Sequence, residues 1–243
     1  MILGEQKLSV KGVAKSFLPI LLDTNWFVVI YSILYLSIPF INNMVSNISQ
    51  RNYKILLVIN IIFFYVWPTF LNNLTIKDNG YGIINFIVLY LIGGYLKLYS
   101  RKERNKNYYL CMYSIMSLAI WGYHEINPET GWAYNTIFCL TASICLFLFF
   151  DNIKIKNYKK INMMASTIFT VYIIHVNPFL INLIWNKLLN CEQFYQNYWF
   201  VPHMLLSSVI ILGIGMLIGF LINKILDKFI KKELLSIEIS LDK

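Results

Sequence analysis

Long apolar runs separated by short polar stretches recur along the whole chain, and this alternation predicts its elements. The runs cover residues 26–44, 55–71, 82–99, 108–124, 133–150, 163–188 and 199–223. A helix that crosses a bilayer needs about 20 mainly apolar residues, so each run suits one crossing. No water reaches backbone groups inside the bilayer, so only helices or strands of a closed barrel can pass through it. Barrel strands alternate apolar and polar residues over short segments. The stretches 61–65 and 146–150 do not alternate, being apolar or aromatic at every position. The pattern predicts an all-α polytopic integral membrane protein with about seven transmembrane helices.

The stretches between runs carry turn formers such as Asp78-Asn79-Gly80 and Asn127-Pro128. No internal repeat or low-complexity linker divides the array. Residues 1–243 read as one membrane domain, with 224–243 as a cytoplasmic tail whose Lys/Glu alternation suits a short exposed helix or a disordered end. Trp26, Trp132, Trp199, Tyr99 and Tyr108 fall at span ends, where aromatic rings anchor helices at the membrane surface. Gly215 and Gly219, four apart, predict a groove for close helix packing.

Composition sharpens this picture. Of 243 residues, 58% are hydrophobic and 14% charged, against roughly 25% charged in soluble domains. The net charge of +9 does not point to nucleic acid, because the charges sit at helix ends rather than on one basic face. Cytoplasmic loops carry the excess of Lys and Arg. All but Lys7, Lys11, Lys15, Lys77 and Lys187 of the 21 basic residues fall after spans one, three, five and seven, with Lys97 just before the loop after span three. That places the C-terminus in the cytoplasm and the N-terminus outside a cell membrane crossed many times. Residues 1–25 hold no signal-peptide core, so the expectation is that an odd number of further spans belongs upstream. The chain then reads as the C-terminal part of a larger membrane protein. Of the four cysteines, Cys111, Cys139 and Cys145 lie in apolar runs and Cys191 lies alone in a polar stretch. Their spacing suggests neither a disulfide framework nor a metal site.

Candidate chemistry is sparse. His175 is the one ionisable side chain expected deep in a span, and such residues mark functional sites by default. Tyr172 shares its helix face, Asn177 adds a donor and an acceptor, and Pro178 predicts a kink beside the histidine. A pocket lining is one reading, and a histidine bonded across helices for packing is the other. Tyr31 and Tyr35, four apart with Asn25 and Trp26 above them, could line an outer vestibule. Tyr81 and Tyr90 are weaker candidates of the same kind. His124 and His203 read as solvated residues at span ends. No Asp, Glu or Arg is expected at mid-membrane, which argues against ion-coupled transport.

Three stretches resemble a known family. The first holds Asn25-Trp26-Phe27-Val28, Tyr31, Leu34-Tyr35-Leu36-Ser37 and Pro39-Phe40-Ile41-Asn42. The second runs from Asp78-Asn79-Gly80-Tyr81 through Tyr90 to Gly93, and the third from Ser166 to Pro178 with Tyr172, His175 and Asn177. In this order they resemble the bacterial acyltransferase family three, the membrane O-acyltransferases. The resemblance implies transfer of an acyl group, usually acetyl from acetyl-CoA, to a hydroxyl of a cell-envelope polysaccharide, with no bound cofactor. It also implies about ten spans, which agrees with the charge asymmetry if about three lie upstream. The family's first-span histidine, and the arginine before it, have no counterpart here, so a separate chain could carry them. On this reading His175 is the catalytic candidate, binding or orienting the acceptor hydroxyl rather than acting as sole base, and Trp26, Tyr31, Tyr35, Tyr172 and Asn177 bind the acceptor. The alternative is a non-catalytic membrane protein, either a glycan transporter or flippase component or the remnant of a disrupted acyltransferase gene.

Overall fold

A computed structural model describes residues 25–71, 78–99, 105–153, 158–177 and 180–241, with side chains to residue 228. Every regular element among them is helical. The chain divides into two compact units, Pro19–Lys154 and, for the described residues of the second, Ile155–Lys243.

In the first unit, α1 (Trp26–Ser46) begins where the Asn25 side chain accepts the Val28 N–H, closing one of the orphan donors of a helix start. Ser49 caps α2 (Gln50–Ile61) in the same way through Asn52 N–H. The helix then widens into a π turn, π1 (Ile62–Val66), before α3 (Trp67–Phe70). Pro68 explains the widening. It has no N–H for the Phe64 carbonyl, and in a regular α-helix its ring would strike that carbonyl. The wide turn, closed by Trp67 N–H on the Ile62 carbonyl, makes room. Together 50–70 form one continuous span. Three further helices follow, α4 (Ile83–Tyr99), α5 (Lys106–Ile126) and α6 (Ile137–Asp151).

The core of this unit is small. Tyr53, Leu57, Tyr65, Val88, Leu91, Ile92 and Leu140 form it, and the Tyr53 hydroxyl donates to the Leu91 carbonyl at 2.7 Å. Large apolar residues such as Leu36, Phe40 and Leu118 stay exposed. In water this would be costly, but against lipid tails an outward Leu loses nothing. The architecture is thus the all-α polytopic membrane protein that the apolar runs predicted. Trp26–Ser46, Gln50–Phe70 and Phe200–Lys228 are long and apolar enough to cross a bilayer, and Ile83–Tyr99 and Ile137–Asp151 are shorter apolar helices.

The second unit corrects one expectation. The run 163–188 is not one unbroken helix but a series of segments: α7 (Lys159–Ala165), α8 (Ile168–His175) and a second π turn, π2 (Leu183–Leu188). Ser166 and Thr167 turn their hydroxyls back onto the Met163 and Met164 carbonyls, and such local bonds compete with the helix ladder. At the other end, Val176 N–H still bonds the Tyr172 carbonyl four residues back, but Asn177 N–H turns to the Ile174 carbonyl three back, and α8 ends at His175. Pro178, whose kink was expected here, lies outside the described residues. A one-turn helix, α9 (Cys191–Phe194), precedes α10, which runs unbroken from Phe200 to Leu241.

Candidate functional site

The second unit holds His175 at the last position of α8, half-buried. Two contacts orient the ring. Its Nδ1 lies 3.1 Å from the Val171 carbonyl, one turn back on the same helix. A carbonyl oxygen can only accept, so Nδ1 carries a proton, and in the neutral ring the lone pair then lies on Nε2. The Tyr172 ring packs edge-on at 5.6 Å, and the His175 carbonyl accepts the indole N–H of Trp185 at 3.3 Å. Asn177 follows where the chain leaves the helix, and its carbonyl takes the N–H groups of Leu180 and Ile181. The trio Tyr172, His175 and Asn177 therefore marks the broken end of a short helix. The orientation of the imidazole is set by its own backbone.

Glycines hold that helix in place. A Cβ on Gly215 would stand 2.9 Å from Val171 Cγ2, and one on Gly219 would stand 2.7 Å from Thr167 Cβ. The groove expected from these two glycines is thus filled by the helix that carries His175. His203 is not simply solvated, because its ring stacks on Phe194 at 3.9 Å and 10° and its Nδ1 lies 3.4 Å from the Ser207 hydroxyl.

The first unit gathers a separate set of groups at one end. Trp26 meets Tyr81 edge-on at 4.6 Å and stacks on Tyr134 at 6.4 Å, and Tyr81 meets Tyr134 at 5.1 Å. Tyr31 stacks on Phe27, and Tyr35 is 63% exposed. Tyr90 donates to Asn42 at 2.8 Å, a tie between α4 and α1.

Beneath the aromatic group lies a turn built on glycine. Gly80 has φ of 81°, a conformation that costs other residues strain, and a Cβ there would also stand 2.8 Å from Asn135 N and Tyr134 Cβ. Asp78 Oδ1 accepts the Gly80 N–H at 2.9 Å, and the Asn79 carbonyl accepts the Tyr134 N–H at 2.9 Å. On the far side of this turn is a cavity of about 210 Å³. Its walls are Phe63, Phe64, Pro68 and Ile84, and Asp78, Asn85 and Asn135 supply polar atoms. The Tyr65 hydroxyl donates to Asn85 Oδ1, and Asn85 Nδ2 donates to the Gly80 carbonyl. Thr69 joins the network, donating to the Tyr65 carbonyl and accepting the Ile137 N–H, while Tyr123 donates to the Thr69 carbonyl.

Sequence reasoning singled out Trp26 but missed Tyr134, Asp78, Asn85 and Asn135 as a group. The turn signal at 78–80 was legible, but its pairing with 134–135 is a contact across the fold. His124, expected to be solvated, has Nδ1 buried with no hydrogen-bond partner among the described residues, close to Gly131, whose Cβ would stand 2.3 Å from His124 Cα.

No match was found among curated proteins or solved structures. Residues 13–224 match the family model of an acyltransferase domain. That match spans most of a chain whose helices are those of a membrane protein, and the chain therefore belongs to acyltransferase family 3.

Proposed function

We propose that this membrane acyltransferase transfers acetyl from acetyl-CoA to a hydroxyl of a cell-surface polysaccharide or other envelope glycan. The observation that best supports the reading is the ring of His175, held by the Val171 carbonyl in the tautomer that leaves Nε2 able to accept a proton. In the proposed step the acceptor hydroxyl donates to Nε2 while its oxygen attacks the thioester carbonyl carbon. The new C–O bond forms, the C–S bond breaks, and the proton passes to the departing sulfur. Tyr172, packed edge-on against the imidazole, and Asn177, two residues on, would orient the acceptor; Trp26, Tyr31 and Tyr35, the other acceptor contacts read from the sequence, belong to the first unit. A base placed this way contributes about 10² to 10⁴ in rate.

The test is incorporation of labelled acetyl from acetyl-CoA into envelope glycan by membranes holding the protein. The label should be released by mild base, as an ester requires. His175→Ala should lower the rate by about 10²-fold or more and leave the amount of folded protein near normal. Losing one hydrogen bond inside a membrane costs only about 1 kcal/mol. If transfer persists while folded protein declines, the histidine is structural and the proposed role fails.

A further inference from the structure

The cavity behind the Asp78–Tyr81 turn has a chemistry of its own. Its polar atoms come from one carboxylate and two amides, and among the described residues neither Lys nor Arg lines it. Such a lining repels anions, so the phosphates of a coenzyme or a lipid headgroup do not suit it. A bare acyl chain suits it less, because hydrocarbon offers no hydrogen bond to the polar atoms of the lining that the Gly80 and Tyr65 bonds leave over, and burying unpaired polar groups is costly. What suits it has flat apolar faces and a rim of hydroxyls. Phe63, Phe64, Pro68 and Ile84 offer surfaces for the first, and the carboxylate and amides offer acceptors and donors for the second. A cavity of about 210 Å³ is smaller than the roughly 300 Å³ at which drug-sized pockets begin, and it fits one ring rather than a chain of them.

Three features indicate that the cavity is built. Phe63 and Phe64 sit in π1, a helix form that is rare and recurs at functional sites. Asn85 is held in one orientation by Tyr65 on one side and Gly80 on the other. The turn and the 134–135 segment that border the cavity also carry Tyr81 and Tyr134, whose rings meet Trp26. Those rings, partly exposed, provide stacking faces for a neighbouring ring outside the cavity.

We propose that this cavity binds one uncharged, hydroxyl-bearing sugar ring of the acceptor, with Asp78, Asn85 and Asn135 taking its hydroxyls and Tyr81 and Tyr134 stacking on the adjoining unit. The proposal rests on the glycan reading above, and its test is binding without acetyl-CoA, so the two fail separately. The full chain in lipid nanodiscs would be mixed with neutral glucose and N-acetylglucosamine oligosaccharides of two to four units, and saturation transfer to ring protons would be measured by NMR. Octanoate and coenzyme A serve as competitors. The sugars should bind, and neither competitor should displace them. Asn135→Leu, which removes a polar group and fills space, should weaken binding about tenfold or more, and so should Asp78→Asn, which keeps the Gly80 contact but loses the charge. Tyr134→Ala should weaken the longer oligomers more than the shortest. Failure of every sugar to bind, displacement by octanoate, or affinity unchanged in both Asp78→Asn and Asn135→Leu would overturn the proposal. If sugars bind as described but no acetyl is transferred, the cavity assignment stands and the acetyl-transfer reading falls.

Discussion

Tyr65 shows what one hydroxyl does in this chain. The side chain is 1% exposed, and its hydroxyl donates to Asn85, itself 7% exposed. Removing the hydroxyl leaves Asn85 Oδ1 a buried acceptor without its donor, which costs about 1–3 kcal/mol in soluble proteins and nearer 1 kcal/mol inside membranes. Tyr65→Phe should therefore lower the melting temperature of the purified protein by about 2–4 °C. Tyr31→Phe, which keeps its stack on Phe27, should leave it unchanged. Equal melting of the two variants would show that the Tyr65 bond carries no net energy. Gly131 makes the complementary case, because there the missing atom matters. A Cβ 2.3 Å from His124 Cα meets backbone rather than a yielding side chain, so Gly131→Ala should destabilise by about 1–3 kcal/mol, the usual cost of overpacking.

At the scale of elements, the pairing of α8 with α10 is the one on which the histidine depends. In lipid, helices gain nothing from hiding apolar surface from each other, so close approach through small residues supplies much of the attraction. Gly215 and Gly219 provide that approach to Val171 and Thr167, and Thr167 is fully buried by it. Val171 is also the residue whose carbonyl holds His175. Gly219→Val should push α8 away, lowering both the yield of folded protein and acetyl transfer. Gly213→Ala, with nothing within 4 Å of its Cβ, should change neither. Equal loss in the two variants, measured by detergent-solubilised yield and by transfer, would show that the groove is not the determinant.

At the scale of the molecule, the charge pattern predicts which side of the membrane each end of the first unit faces. Trp26, the 78–82 turn and the 134–135 segment meet at one end of the first unit, and the asymmetry of Lys and Arg assigns all three to the side opposite the basic loops. Reporter fusions after Lys106, Lys160 and Lys232 should therefore read cytoplasmic, and fusions near Lys77, Glu129 and Glu192 should read external. A reversed pattern would put the aromatic end and its cavity on the cytoplasmic side, out of reach of an envelope glycan.

The amino-acid sequence by itself determined the helical class, the membrane setting and most element positions, because apolar length and the need to satisfy backbone groups in lipid act locally. It also marked Gly215 and Gly219 for packing, and the stretches around Trp26, Asp78 and His175 carried the family resemblance. Two things were decided only in three dimensions. The run 163–188 looks continuous by hydropathy, yet the hydroxyls of Ser166 and Thr167 and the turned-back Asn177 N–H break it. Hydropathy cannot register this, because those bonds depend on backbone direction rather than on apolar content. The cavity likewise joins Phe63, Asp78, Asn85 and Asn135 across three helices and two turns. No spacing rule links such positions; the docking of Asn79 against Tyr134 and the Tyr65–Asn85 and Thr69–Ile137 bonds bring them together.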